Sequence, residues 1–310
     1  MIPVTLLVTT RNEAANIEKC LRSAHLFVDQ IFVIDSDSDD KTVNISRQYA
    51  EVVNLPYDHS KIIPWIYQWG LDNLPIRNEW VMILEADQML TTDLKLELER
   101  LFASPCIRES GFYVRRRQVF RGRTLRFGGY GSKFMLKLFR RDAGELDPEE
   151  TDTRVYVKGQ VGRLKSSIVE ENRKEDDILF YLQKHVRYAD AFAREEHRRR
   201  ETGFKWKQQP RLFGTPDQRV LWLKQMFFGL PLYLRPFVYF FYRYFILLGF
   251  LDGKQGAIFH FMQAFWFRLV WDIRLEELKG KNNQIKAAEQ DRIVSGSGAE
   301  SSVSGLGGGS

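Results

Sequence analysis

Residues 79–90 read EWVMILEADQML. Five consecutive apolar residues, Trp80 to Leu84, with no polar alternation describe a strand buried on both faces, and it breaks off into Glu85-Ala86-Asp87. Upstream the same kind of run recurs at residues 3–9 (PVTLLVT), 30–34 (QIFVI, followed by Asp35) and 51–55 (EVVNL). Helical spacing separates these runs. Residues 12–24 place Ile17, Leu21 and Ala24 on one face behind an Asn12-Glu13 start, and further helices are expected at 42–49 and 62–74. Strands and helices that alternate in this way, with near-continuous apolar strands, predict an α/β fold whose parallel sheet is covered on both faces.

In open sheets of this type ligands bind beyond the carboxyl ends of the strands. Two acidic groups lie there, Asp35-Ser36-Asp37-Ser38-Asp39-Asp40 and Glu85-Ala86-Asp87. For the first, two roles stay open: Ser38, Asp39 and Asp40 can cap the next helix, and a carboxylate at the strand tip can accept hydrogen bonds from a nucleobase or a ribose. The second group is more telling. Two carboxylates at i and i+2 on the end of a buried strand are destabilising unless a cation or hydrogen bonds compensate them. Hard oxygen donors suit magnesium or manganese bridged to a diphosphate.

The composition bounds the remainder. The chain has 310 residues, a net charge of +6, 44% hydrophobic and 14% aromatic residues and two cysteines, which excludes disordered, collagenous and disulfide-stapled classes. Cys20 and Cys106 match no metal-ligand spacing and read as reduced thiols of a cytoplasmic protein. The charge is local. Residues 108–141 hold eleven basic residues and one acid, residues 142–152 six acids and no base, and residues 194–224 nine basic residues against four acids. The runs at 111–120 (GFYVRRRQVF), 124–131 (TLRFGGYG) and 134–139 (FMLKLF) predict an antiparallel extension of the sheet, and residues 174–200 a helix with Ile178, Tyr181, Leu182, His185, Tyr188, Ala189 and Phe192 on one stripe. In the basic strand, Arg115, Arg116, Arg117, Arg121, Arg123 and Arg126 offer guanidinium forks for a diphosphate or a phosphorylated acceptor, and alternation turns some of them away from any cleft.

Half of the 42 aromatic residues fall within residues 204–271. Arg235, Arg243, Asp252 and Lys254 interrupt every run long enough to span a bilayer, and Pro231 and Pro236 break the segment into short helices. An amphipathic, aromatic-rich surface at headgroup depth is the expectation, with a buried helical subdomain as the alternative. No nucleic-acid-binding pattern is present, which speaks against that partner. The start, MIPVTLLVTTRNE, has no basic n-region and reads as a first strand. The end, residues 295–310, reads as an appended linker and is left out of the fold. Three segments are therefore expected: residues 1–203 an α/β ligand-binding domain, 204–280 a helical membrane-interface region, and 281–310 a tail.

Taken in order, TLLVTTRNEAANIEKCL, VIDSDSDDKTV and EWVMILEADQML resemble the opening strand, nucleotide loop and DxD-type segment of family 2 glycosyltransferases with the GT-A Rossmann-like fold. QWGLDNLPIRNEW, GQVGRLK, KHVRYADAFA and FLDGKQG resemble the bacterial branch that contains lipopolysaccharide-core glucosyltransferases, so the resemblance runs over residues 3–280. It implies an inverting, metal-dependent hexosyltransferase that uses a nucleotide sugar, UDP-linked, with Mg or Mn as cofactor. The acceptor implied is a lipid-linked saccharide or lipopolysaccharide core at the cytoplasmic face of the inner membrane, with the protein peripheral or monotopic. Carried over by position, Thr9, Glu13, Asp35 and Glu85 meet the nucleotide and Asp87 is the metal ligand. Glu85 departs from the usual Asp of the first DxD position. The branch's His-Glu pair before GxxGxLK is also missing, so the base is sought in residues 147–152, with Asp152 first, Glu150 second and Asp147 third; Glu170 and Glu171 stand where a second family histidine is absent. These departures keep an alternative alive, a membrane-associated GT-A scaffold that has lost catalysis.

Overall fold

Strand β1 (Ile2–Thr10) shows why the first half folds as it does. Val4, Leu6 and Val8 enter one apolar cluster and Leu7 the other, so the strand is clamped between two layers. The computed structural model describes residues 1–58, 63–147, 150–203 and 206–280. β2 (Val28–Asp35), β3 (Glu51–Asn54) and β4 (Trp80–Glu85) join β1 in a parallel sheet in the order β3-β2-β1-β4. Helices α1 (Ile17–Ala24) and, beyond α2 (Thr42–Ser46) and α3 (Ile63–Asn73), α4 (Thr92–Phe102) form the layer that receives Val4, Leu6, Val8, Met82 and Leu84. Tyr67 and Leu71 of α3 cover Leu7, Phe32, Ile34 and Ile83 on the other face. A one-residue slip of β1 would exchange the two layers, and each side chain misplaced forfeits about 1.5–3 kcal/mol of burial.

Beyond β4 the sheet turns mixed, as the sequence predicts. It continues through β5 (Gln88–Leu90), β6 (Gly111–Phe120), β7 (Arg123–Leu125), β8 (Phe134–Arg140) and β11 (Val161–Glu171), in the order β4-β8-β6-β11-β5, with β7 on the side of β6. β8 is antiparallel to β4 and β6, and β11 is parallel to β6 and antiparallel to β5. The short β9 (Gly144–Leu146) and β10 (Val155–Val157) form a separate hairpin against the α3 layer. One expectation changes: TLRFGGYG is strand only at its first two residues. Gly128 and Gly129 take φ of +62° and +81°, and the Asp252 carboxylate accepts the N–H groups of Arg126 and Phe127 at 3.0–3.1 Å, so the backbone curls into a loop where a ladder was predicted.

α5 (Ile178–Thr202) ends at Gly203, where the expected boundary lies, but its packing crosses that boundary. Ala189 and Ala193 sit in one cluster with Phe228 of α6 (Pro216–Gly229) and with Phe267, Trp271 and Leu275. Small residues on α5 admit the large rings of the later helices, so α5 and residues 216–280 make one layer. α7 (Leu234–Phe241) runs on through a π-helical turn, Tyr242–Ile246, and a 3-10 turn, Gly249–Asp252, leads into α8 (Gly253–His260). Among the described residues no single helix is long and apolar enough to cross a membrane; Leu234–Ile246 and Gly249–Gly280, bent by 69°, qualify only as a pair. Residues 281–310, the expected tail, lie outside the described residues.

Candidate active site

The parallel register brings the suspect residues to one end of the sheet. Thr10 lies opposite Asp35, and Thr9 opposite both Ile34 and Glu85. Asp35 is buried and fully engaged: its Oδ1 accepts Thr10 Oγ1 at 2.8 Å and Ser38 Oγ at 2.6 Å, and its Oδ2 accepts the Ser38 N–H at 2.9 Å. Asp35 therefore performs the turn chemistry and also borders an open cavity of about 450 Å³, with Asp37, Ser38, Val43, Arg47 and Asn54. Asp37, at φ +54°, accepts the Tyr57 N–H and the Asn54 amide, which hold its carboxyl below the usual carboxylate range. Glu13 is fixed by Lys174 Nζ at 2.6 Å and by Asn16 Nδ2 at 2.8 Å, and Asp40 caps the start of α2 through the Thr42 N–H at 2.8 Å.

Three carboxylates converge beside this row. Between β4 and β5 the chain turns at Ala86-Asp87, with the Glu85 N–H donated to Gln88 Oε1 at 3.2 Å. β5 then pairs with β11, which sets Glu170 opposite Gln88, and the Glu171 N–H reaches the Asp87 carbonyl at 2.9 Å. As a result Glu85, Asp87 and Glu170 each offer an oxygen within 4.8 Å of the other two. Asp87 Oδ1 is buried with no hydrogen-bond partner among the described residues. Burial first, then the Glu170 and Glu85 charges, push the Asp87 carboxyl well above the usual range. Glu170 moves the other way. Burial opposes its charge, but the Arg116 guanidinium at 2.9 Å and the Gln88 amide at 2.7 Å hold its carboxyl below the usual range. Lys137, buried, approaches Glu85 at 3.5 Å. The three carboxyl groups face Arg116 and Lys137, and the buried oxygen without a partner among the described residues belongs to Asp87.

The candidate bases separate. Asp152, partly exposed, pairs with Lys224 Nζ at 2.6 Å and Arg154 Nη2 at 3.6 Å; against the effect of burial, these cations hold its carboxyl far below the usual range. Glu150 is enclosed: its side chain has no exposed surface, and its oxygens accept from Arg154 Nε at 3.0 Å, Tyr156 Oη at 2.7 Å and Lys224 Nζ at 3.4 Å. It serves as a counter-ion, tying this loop to Arg154, which in turn holds Asp217 of α6 at 2.6 Å. Asp147 is buried as well. Lys133 lies within electrostatic reach of both Asp152 and Glu170, which places Asp152 on the side of the carboxylate cluster. A larger open cavity of about 780 Å³, lined by Asp72, Arg77, Asn78, Arg141 and Asp142, adjoins the first residues of β4. That is the opposite end of the strand from Glu85, so it is not the reaction cleft.

Sequence reasoning did not select Glu170, Arg116 as its partner, or Lys137. Glu170 stood out only as an acid where a histidine was expected, and its meeting with Asp87 depends on the β5–β11 pairing. Lys137 had a readable signal, a lone charge inside the apolar run FMLKLF.

Residues 5–142 match the model of glycosyl transferase family 2, a stretch that contains β1 to β4 with Asp35, Glu85 and Asp87. An uncharacterized glycosyltransferase of Rickettsia bellii is 33% identical over 102 residues, 33% of this chain and 33% of that protein. A second, from Rickettsia felis, is 32% identical over 105 residues, 34% of this chain and 35% of that protein. The matched stretch thus spans about a third of the length of these curated relatives. Among solved structures, the mannosyltransferase PcManGT from Pyrobaculum calidifontis in complex with GDP-Man and Mn2+ is similar with a TM-score of 0.44 and 15% identity, over 88% of this chain and 87% of that one. The family match thus coincides with the strands whose carboxyl ends carry the acids, and over residues 5–142 the chain is similar to glycosyl transferase family 2.

Proposed function

We propose that the chain is an inverting, metal-dependent glycosyltransferase that moves a hexose from a UDP-linked sugar to a lipid-linked saccharide or lipopolysaccharide-core acceptor at the cytoplasmic face of the cell membrane. The observation that carries this reading is the convergence of Glu85, Asp87 and Glu170 with Asp87 Oδ1 unpartnered. An all-oxygen donor set with an orphaned carboxylate oxygen fits a hard divalent cation, Mg or Mn. Asp87 and Glu170 would hold it, with Glu85 on the ribose side. Bound there, the cation supplies positive charge to the departing diphosphate. Thr9, Glu13 and Asp35 border the nucleoside, with Asp35 held rigid by Thr10 and Ser38.

Asp152 is the proposed base. Its proton affinity is low, and that suffices when the acceptor hydroxyl releases its proton late, after its oxygen has begun to bond to the anomeric carbon and has become strongly acidic. The scaffold reading draws on Glu85 and the missing His-Glu pair, and the Lys224 lock on Asp152 adds to it. Turnover of a panel of nucleotide sugars with Mn decides between the two: transfer or slow donor hydrolysis supports the enzyme, and UDP binding without either supports the scaffold.

The proton on Asp87 competes with the cation, so activity falls as pH drops through its raised carboxyl range. Tenfold more Mn is expected to move that acid limb of kcat/KM down by about one pH unit. Asp35→Ala strands the Thr10 and Ser38 donors; an expected loss of about 1–3 kcal/mol in stability by urea titration accompanies weaker UDP binding in calorimetry.

Membrane association is proposed from the hairpin of α7 and the helix after it. Leu234, Phe237, Phe241 and Phe245 recur at helical spacing and are 46–57% exposed, and Ile246, Phe250 and Leu251 extend the apolar surface. The triple variant Phe237→Ser, Phe241→Ser, Phe245→Ser is expected to bind phosphatidylcholine vesicles at least about tenfold more weakly in a flotation assay, from the burial energy of aromatic side chains.

A further inference from the structure

A second charged cluster, of opposite sign, lies between the carboxylates and the apolar hairpin. Arg116 spends one side of its guanidinium on Glu170 at 2.9 Å, while its Nε is buried without a hydrogen-bond partner among the described residues. Its backbone N–H is donated to the Lys133 carbonyl at 2.9 Å, which fixes the start of β8 against β6. The Lys133 ammonium makes no hydrogen bond or ion pair among the described residues. Its side chain is exposed, and the Arg116 charge first, with Arg243 acting in the same direction, pushes it down to about 7.

Arg243 comes from the apolar hairpin itself. Its guanidinium lies 4.5 Å over the Tyr130 ring and donates to Tyr239 Oη at 2.6 Å, and its Nε is also buried without a partner. The loop between the two halves is pinned at both ends. Asp252 holds the Arg126 and Phe127 N–H groups, and the Gly128 N–H reaches the Leu247 carbonyl at 2.8 Å. Gly128 also rests on His260, where a Cβ would come within 2.0 Å of the ring. The nearby acids are already committed, Glu170 to Arg116 and Asp152 to Lys224. Arg116 is matched by Glu170, whereas Lys133 and Arg243 have no acid partner among the described residues, and a bound anion relieves the positive field they leave.

We propose that Arg116, Lys133 and Arg243 bind a phosphate group carried by the lipid acceptor, seating it between the transfer site and the apolar hairpin. The position selects the source. A ligand that joins an apolar tail to a phosphate and then to a sugar would lay its tail on Phe241 and Phe245, its phosphate on Lys133 and Arg243, and its sugar toward Asp152. This rests on the lipid-linked acceptor of the proposed function.

The test uses the full chain, with Lys133→Gln as the main variant because Lys133 is exposed and holds no partner. Binding is measured to phosphatidylcholine vesicles with and without phosphatidic acid, to inorganic pyrophosphate, and to UDP with Mn. The expected result is a loss of about fivefold on phosphatidic acid vesicles, the share of one lysine near an anionic surface, with neutral vesicles and UDP·Mn unchanged. Lys133→Arg is expected to restore binding, and Lys158→Gln, an exposed lysine beyond β10, to leave it intact. A loss confined to pyrophosphate and UDP·Mn would give the site to the donor and overturn the proposal. So would no loss in any arm, or an equal loss in Lys158→Gln. Failure of the wild type to bind UDP·Mn would sink the donor reading alone, while the vesicle arms still decide the phosphate site.

Discussion

Asp87→Asn is expected to abolish the proposed sugar transfer, by at least about a thousandfold, and at the same time to make the cation-free protein more stable. Both effects have one origin. In the absence of a cation Asp87 is half-buried against Glu170 and Glu85, with Oδ1 buried and unpartnered among the described residues, so its charge is unfavourable. Because the folded carboxyl holds its proton more tightly than the unfolded one, cation-free stability falls as pH climbs from about 4 through the raised value. An asparagine removes the charge and offers an amide N–H to the neighbouring carboxylates. The expected gain is about 1–2 kcal/mol, read as a rise of a few degrees in the melting midpoint. The same change removes a proposed cation ligand, so the expected Mn-induced rise in midpoint should disappear. A variant that keeps its Mn response would show that the ion, if any, is held elsewhere.

Arg235→Ala is expected to have the largest effect on stability. The guanidinium has no exposed surface and is shared by two carboxylates: Nη1 and Nη2 donate to Glu196 at 2.9 Å each, and Nε donates to Asp272 at 2.6 Å. Phe227 stacks on it at 4.6 Å, with Trp271 at 5.6 Å. It thereby locks α5, α7 and the last helix together at one point. Burial pushes the Asp272 carboxyl upward even with Arg235 opposing it, so removal of the guanidinium leaves two buried acids with far less compensation. Breaking such a buried pair costs about 3–5 kcal/mol, and the helical layer is expected to loosen before the sheet does. Urea unfolding followed by tryptophan fluorescence, with Trp271 in the affected cluster, checks this; a loss under about 1 kcal/mol would contradict the role.

The parallel half of the fold was legible because burial on both faces writes itself into unbroken apolar runs: β1, β2, β3 and β4 were each recognisable, and with them the end at which Asp35, Glu85 and Asp87 collect. The second half was less so. β11, residues 161–171 (VGRLKSSIVEE), alternates weakly because one stretch of it packs on α4 and another faces the charged site, and no local pattern announces that Glu170 lands beside Asp87. The 124–131 loop misread as strand follows from Asp252, more than a hundred residues away. Along α5 the apolar stripe was correct for Tyr181, His185 and Ala189, but Ile178 is exposed and the buried face ends in Glu195, Glu196 and Arg199. Buried ion pairs leave no apolar signature, and the enclosure of Glu150 by Arg154 and Lys224 was illegible for the same reason.

The proposal that the Glu85, Asp87, Glu170 cluster serves a cation-dependent nucleotide-sugar transferase can be tested directly. The most direct measurement is release of UDP from a panel of UDP-sugars in the presence of a membrane glycolipid extract, with Mn, with Mg and with EDTA. Release with at least one sugar that needs the cation, and that Asp87→Asn lacks, is the predicted result. Undiminished release in EDTA, or in Asp87→Asn with Mn, would contradict it.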